Sequence, residues 1–263
     1  MPLASLNNFE IYYETHGDGP PMVFIAGLGG AAASWRHQIE PFARHFKVII
    51  FDQRGTHRSG SGPLIGSVDD LASDTIALLD ALSISSAHVV GHSTGGAIAQ
   101  TLAIDYPDRV AGLTLCATWP KSDAFFRYVL GLRLEILHTQ GIAAYLRSTP
   151  FFVYPDWWIN ENWDALEASI EAGIANPPDI DVMISRIEAI LTFDRASRLP
   201  QISHRTLVLC ARNDILVPPY MAEALSTAIP DAELVMLERG GHSSNQTTPA
   251  AYNETVLGFL SGV

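Results

Sequence analysis

The sequence contains only two cysteines, Cys116 and Cys210, too few for a disulfide framework. Both fall in apolar runs that read as buried strands, where a reduced thiol packs as a small hydrophobe. Basic side chains are also scarce: 16 Lys and Arg stand against 28 Asp and Glu, for a formal charge of −12. No Lys/Arg cluster offsets that balance, which excludes binding that rests on a nucleic-acid phosphate backbone. No apolar run is long enough to span a bilayer, and residues 1–8 have neither the basic start nor the apolar core of a signal peptide. No Cys/His/carboxylate cluster has ligand spacing, so no metal or other cofactor is expected. A soluble, cytoplasmic protein with no nucleic-acid or membrane partner follows. What is present is a chain of 263 residues, 48% hydrophobic, suited to one large α/β domain.

The chain is organised around Ala87-His88-Val89-Val90-Gly91-His92-Ser93-Thr94-Gly95-Gly96. An apolar strand ends at a Gly-x-Ser-x-Gly pentapeptide and a helix-forming run begins at once. Serine at such a turn is pushed out at the carboxyl edge of a sheet, because Gly91 and Gly95 lack the Cβ atoms that would clash. The helix that follows aims its N-terminal N–H groups at the same place.

Before this point Met22-Val23-Phe24-Ile25-Ala26 and Lys47-Val48-Ile49-Ile50-Phe51 read as strands buried on both faces. The first ends at Gly27-Leu28-Gly29-Gly30 and the second at Asp52-Gln53-Arg54-Gly55. Ser67 and Asp70 form a capping box for a helix. Strand and helix then alternate as far as Cys116. Residues 119–196 break the rhythm: they are helical, rich in aromatics and poor in charge. They read as a helical cap inserted into a core made of 1–118 and 197–263. Alternation resumes with Arg205-Thr206-Leu207-Val208-Leu209-Cys210-Ala211 and Glu233-Leu234-Val235-Met236-Leu237.

A serine hydroxyl needs a base, and the base needs a carboxylate to orient it. Of nine histidines, only His242 follows directly on a late strand, after two glycines that can turn it back over the sheet edge. His92 is expected to point away from the active face. Asp214, at the end of the strand holding Cys210, is the candidate acid, with Asp123 in the cap as the rival. Asp52 is expected to tie down its own loop with Arg54.

These features together resemble the α/β-hydrolase family, in that family's chain order. The resemblance implies an eight-stranded, mostly parallel sheet flanked by helices, its first strand pair antiparallel, and a helical cap. It also implies an oxyanion hole built from the backbone N–H groups of Leu28 and Thr94. Gly27-Leu28-Gly29-Gly30, Asp52-Gln53-Arg54-Gly55-Thr56, Phe152-Val153-Tyr154-Pro155-x-Trp157-Trp158 and Gly240-Gly241-His242-x-x-Asn245 are similar to the aminoacrylate (carbamate) hydrolases. The elbow is more similar to the 3-oxoadipate enol-lactonases.

The expected activity is therefore hydrolysis of a small carboxylic ester or lactone. Ser93 serves as nucleophile, His242 as base and Asp214 as its orienting acid. Trp119 and Trp158 are candidate walls of an apolar pocket suited to a compact acyl group. Carbamate-type C–N hydrolysis, C–C bond hydrolysis and perhydrolase chemistry use the same triad and stay open. So does a small-molecule receptor that retains it. The acyl compound is the expected partner, and a homodimer is compatible with the sequence.

Overall fold

The computed structural model describes residues 2–6 and 8–261. Met1, Asn7, Gly262 and Val263, assigned above to the N-terminal segment and the ends of the core, lie outside the described residues. Strands β1 (Leu3–Leu6), β2 (Phe9–His16), β3 (Pro21–Ile25), β4 (Lys47–Phe51), β5 (Ala87–His92), β6 (Val110–Cys116), β7 (Thr206–Ala211) and β8 (Ala232–Leu237) form one sheet. Its order is β1-β2-β4-β3-β5-β6-β7-β8. β2 is antiparallel to both β1 and β4, and the other pairs are parallel. This is the eight-stranded, mostly parallel sheet, with its first strand pair antiparallel, that the family resemblance implies.

Between the strands run α1 (Arg36–Ala43), α2 (Val68–Ala81) and α3 (Thr94–Asp105). Four more, α4 (Ala124–Val153), α5 (Asp156–Glu161), α6 (Trp163–Ala175) and α7 (Ile180–Leu191), lie between β6 and β7. The chain closes with α8 (Pro219–Ala228), α9 (Ser244–Thr247) and α10 (Pro249–Ser261). Side chains alternate across a strand, so a strand covered on both faces needs apolar residues throughout. β3 shows it: Met22 and Phe24 pack with Phe42 of α1 and Tyr252 of α10, whereas Val23 and Ile25 join α2 and α3 on the other face. α3 is buried along its whole length from Thr94 to Ile104, which is why it carries no polar stripe. α2 begins with the expected capping box, Asp70 Oδ2 accepting from the Ser67 N–H at 3.0 Å.

The four helices between β6 and β7 leave and rejoin the sheet at one narrow neck. Lys121 and Asp194 form an antiparallel bridge. Ser122 N donates to Phe193 O at 2.9 Å and Arg195 N to Pro120 O at 3.0 Å. α4 is broken at Gly141, where φ is 81°. α7 rests on the turn after β4. A Cβ placed on Gly55, whose φ is +70°, would come within 3.0 Å of Val182 Cγ1. That close seat explains the glycine.

Candidate active site

The turn from β5 into α3 puts Ser93 at φ 55° and ψ −119°, a conformation that a non-glycine residue adopts only when its surroundings hold it. They do so on several sides. Ser93 N donates to Cys116 O at 2.9 Å. A Cβ on Gly91 would lie 2.2 Å from Gly95 O, and one on Gly95 would lie 2.0 Å from Ile25 O. The backbone is packed against itself here, and only glycine fits. Thr94 is the first residue of α3, so its N–H has no intrahelical acceptor and points out of the helix start.

His242 Nδ1 lies 2.9 Å from Asp214 Oδ2, with both side chains buried. A carboxylate only accepts, so Nδ1 carries the proton and Nε2 is left as the basic nitrogen. Asp214 is fixed in turn: its Oδ1 accepts from Leu216 N and Val217 N, each at 2.9 Å. The histidine loop is held by the neighbouring Asn213, whose Oδ1 accepts from Gly240 N at 3.0 Å and Gly241 N at 2.9 Å. The positive φ of Gly240 and Gly241 lets the chain make that turn. Ser243 N donates to Val153 O at 3.0 Å, tying the loop to the end of α4.

His92 does not point away, as its place in the elbow suggested. Its Nε2–H donates to the carbonyl of His242 at 2.8 Å, and its ring packs 4.9 Å from the His242 ring. Burial, followed by the neighbouring His242, pushes its pKa down to about 3, so it stays neutral. Asp52 departs from expectation too. It pairs with Arg58 at 2.6 Å and accepts from Ala32 N at 2.8 Å, while Arg54 makes a bidentate pair with Asp74, both bonds at 2.7 Å. Asp123, the rival acid, caps α4 by accepting from Phe126 N at 2.9 Å and binds Tyr220 Oη at 2.7 Å.

Ser93, Thr94, Leu28, His92 and His242 line one cavity of about 260 Å³ whose wall is otherwise mostly apolar. Gly27 brings the loop after β3 against the elbow: a Cβ there would lie 3.2 Å from Ser93 Cβ. Trp119 belongs to the wall and packs against Phe126, ring centroids 4.2 Å apart and planes tilted by 43°. Trp158 does not. It stacks on Tyr154 at 4.3 Å, and Tyr154 reaches the cavity in its place. The wall also holds Arg133, which is 4% exposed. Its Nη2 donates to Tyr145 Oη at 2.8 Å and Thr149 Oγ1 at 3.1 Å, and its Nε is buried without a partner among the described residues. No carboxylate pairs with it among the described residues. Its signal in the sequence is an arginine at a buried position of α4, in register with Phe126, Val129, Leu130 and Leu137.

The arrangement has the parts for nucleophilic acyl transfer: a hydroxyl, an oriented imidazole and a helix start on one cavity. Among the described residues no group of three or more His, Cys, Asp or Glu could hold a metal ion, and no helix is long and apolar enough to cross a membrane.

Residues 20–146 match the alpha/beta hydrolase fold, and residues 192–262 match TAP-like protein. The chain is 40% identical to the proposed carbamate hydrolase RutD of Azorhizobium caulinodans, over 100% of this chain and 99% of that one. The corresponding Caulobacter segnis protein is 38% identical, over 96% and 97%. The enol-lactonase from Burkholderia xenovorans LB400 superposes with a TM-score of 0.91 at 26% identity, covering 99% of this chain and 100% of that one.

Proposed function

The chain belongs to the alpha/beta hydrolase fold family, and from that premise we propose that it is a serine hydrolase of a small, anionic acyl compound. Ser93 Oγ attacks the carbonyl, and His242 Nε2 takes its proton. The imidazolium formed is stabilised by Asp214. The N–H groups of Leu28 and Thr94 receive the negative charge that develops on the carbonyl oxygen. His242 then returns the proton to the leaving group, and water attacks the resulting acyl-enzyme by the same route. The observation that carries this reading is the Asp214–His242 hydrogen bond on the cavity that also holds Ser93.

Arg133 supports the charge of the substrate. A guanidinium is never neutral in a protein, and burying it without an acid is costly unless a ligand brings the countercharge. A carboxylate on the substrate meets that need. The test pairs mono-p-nitrophenyl succinate, which has a free carboxylate, with neutral p-nitrophenyl butyrate. Arg133→Met should lower kcat/KM on the first by roughly 10–100-fold, the worth of a charge-assisted hydrogen bond, and leave the second within about threefold. Equal losses on both esters overturn the anionic assignment.

The 40%-identical relative favours a second reading, carbamate-type C–N cleavage on the same serine. Release of amine from N-substituted carbamates at a higher kcat/KM than release of alcohol from matched esters decides for it.

A further inference from the structure

The peptide that carries the Leu28 N–H lies between two carbonyls, and both are held from outside the loop. Ala26 O accepts from Gln53 Nε2 at 2.7 Å, and Leu28 O accepts from Arg186 Nε at 2.8 Å. The two anchors are one unit, because Arg186 Nη2 also donates to Gln53 Oε1. Gln53 is fixed in its turn by its own N–H, which donates to Gly30 O at 2.9 Å. The loop itself, Gly27-Leu28-Gly29-Gly30, has one side chain in four residues and is closed from within by a turn hydrogen bond, Gly30 N donating to Gly27 O at 3.0 Å.

A trans peptide is a rigid plane. It can rotate only by a coupled change of ψ before it and φ after it. The plane between Gly27 and Leu28 is itself held through its own carbonyl, Gly27 O, which accepts from Gly30 N, and the anchors at Ala26 O and Leu28 O fix where that turn sits against the core. We propose that Arg186 is a positioning residue: from α7, and together with Gln53, it holds the Leu28 N–H on the line along which an oxyanion would bind. This rests on the reading of Leu28 as an oxyanion donor given above. It adds that the donor is aligned by the helices inserted between β6 and β7 and not by the core alone.

The energetics fit a positioning role better than a strut. Arg186 is fully buried, has no carboxylate bonded to it among the described residues, and its Nη1 is without a partner there. Burial lowers its pKa to about 10, so it remains charged at neutral pH. An apolar side chain would fasten α7 to the core with less penalty. A guanidinium does what such a side chain cannot, since its fixed fork grips a backbone carbonyl and a side-chain amide together.

The test uses the full chain with p-nitrophenyl acetate, an aryl trifluoromethyl ketone as an analogue of the tetrahedral intermediate, and acetate as a product. Arg186→Met should lower kcat by about 30–100-fold with KM within threefold, as expected when a donor moves by a fraction of an ångström. Affinity for the ketone should fall by the same factor while inhibition by acetate stays within threefold. Gln53→Glu keeps a partner for Arg186 but loses the donor to Ala26 O. It should reproduce the kcat loss with an unchanged circular-dichroism spectrum, so the outcome does not hang on how well Arg186→Met folds. The double variant should be little worse than either single one. Ser93→Ala is the control: its inactivity upholds the serine mechanism independently. Unchanged kcat and ketone affinity in Gln53→Glu, with Ser93→Ala inactive, would overturn the positioning role and leave that mechanism intact.

Discussion

The Nε2–H of His92, the residue immediately before the nucleophile, supports the backbone carbonyl of His242 at 2.8 Å. The two halves of the site, which lie 150 residues apart in the chain, are therefore joined by a direct hydrogen bond. That buried ring also sets how the fold responds to acid.

Folded His92 is held neutral down to about pH 3, whereas an ordinary imidazole titrates at 6.5. Between those values the unfolded chain binds the extra proton, so stability rises with pH and is lost as pH falls from about 6.5 toward 3. One such group contributes a slope of about 1.4 kcal/mol per pH unit. His88 and His37 are lowered as well, chiefly by burial, and act in the same direction. Urea unfolding of the wild type and His92→Gln between pH 4 and 7 checks this. The variant should lose about one proton's worth of slope, and parallel curves would refute it.

Ser93→Ala and His242→Ala should each reduce kcat on p-nitrophenyl acetate by about 10⁴-fold or more, and the double variant should be hardly worse. Asp214→Asn should cost about 10³–10⁴-fold, because the imidazole loses the acceptor that fixes its tautomer. Asn213→Ala, which frees two backbone N–H groups of the histidine loop, should lower kcat by roughly tenfold, with Tm reporting any loss of fold. An Asp214→Asn enzyme within tenfold of wild type would transfer the acid role elsewhere.

A cavity of about 260 Å³ suits a short acyl group. p-Nitrophenyl acetate and butyrate should be cleaved with far higher kcat/KM than the palmitate. Trp119 is fully buried, so Trp119→Ala should cost about 3–5 kcal/mol of stability while it enlarges the wall. Trp119→Phe is the gentler probe, and its optimum chain length should move upward. A wild-type preference for palmitate would contradict the pocket drawn here.

The thiols of Cys116 and Cys210 are pushed up to about 12, mainly by burial. Iodoacetamide at pH 8 should leave both unmodified and activity intact until denaturant is added. Mass spectrometry before and after unfolding reads the outcome directly. Rapid labelling of the native enzyme would mean that β6 and β7 open far more readily than their packing implies.

The elbow, Asp214 and His242 are legible in the sequence because each sits where the backbone itself demands special residues. Gly91 and Gly95 are required by contacts near 2 Å, and Gly240 and Gly241 by their positive φ. The two arginines are not legible in the same way. Arg133 and Arg186 occupy buried positions on helices whose other buried residues are mostly apolar, Leu130 and Leu137 in one case, Met183 and Ile187 in the other. Their meaning comes from partners that only the tertiary fold supplies. The exchange at Asp52 has a related cause. Arg54 and Arg58 lie in one turn and are chemically equal, and the direction of that turn gives Asp52 to Arg58 and leaves Arg54 to Asp74. Trp158 illustrates the limit for aromatics: composition brings rings near the cavity without saying which one faces it.

The neck at Lys121 and Asp194 gives the molecule a seam. Residues 147–191, between the two matched segments, all lie beyond that seam. Because the chain departs and returns across a single bridge, the stretch can lengthen, shorten or be replaced with no strand of the sheet changing register. On the proposed reading, recognition can then vary with the chemistry kept, except at Arg186, where the inserted helices reach the loop after β3. A graft of a relative's segment, cut at the neck, would carry its substrate preference along, provided that it brings an arginine for Gln53.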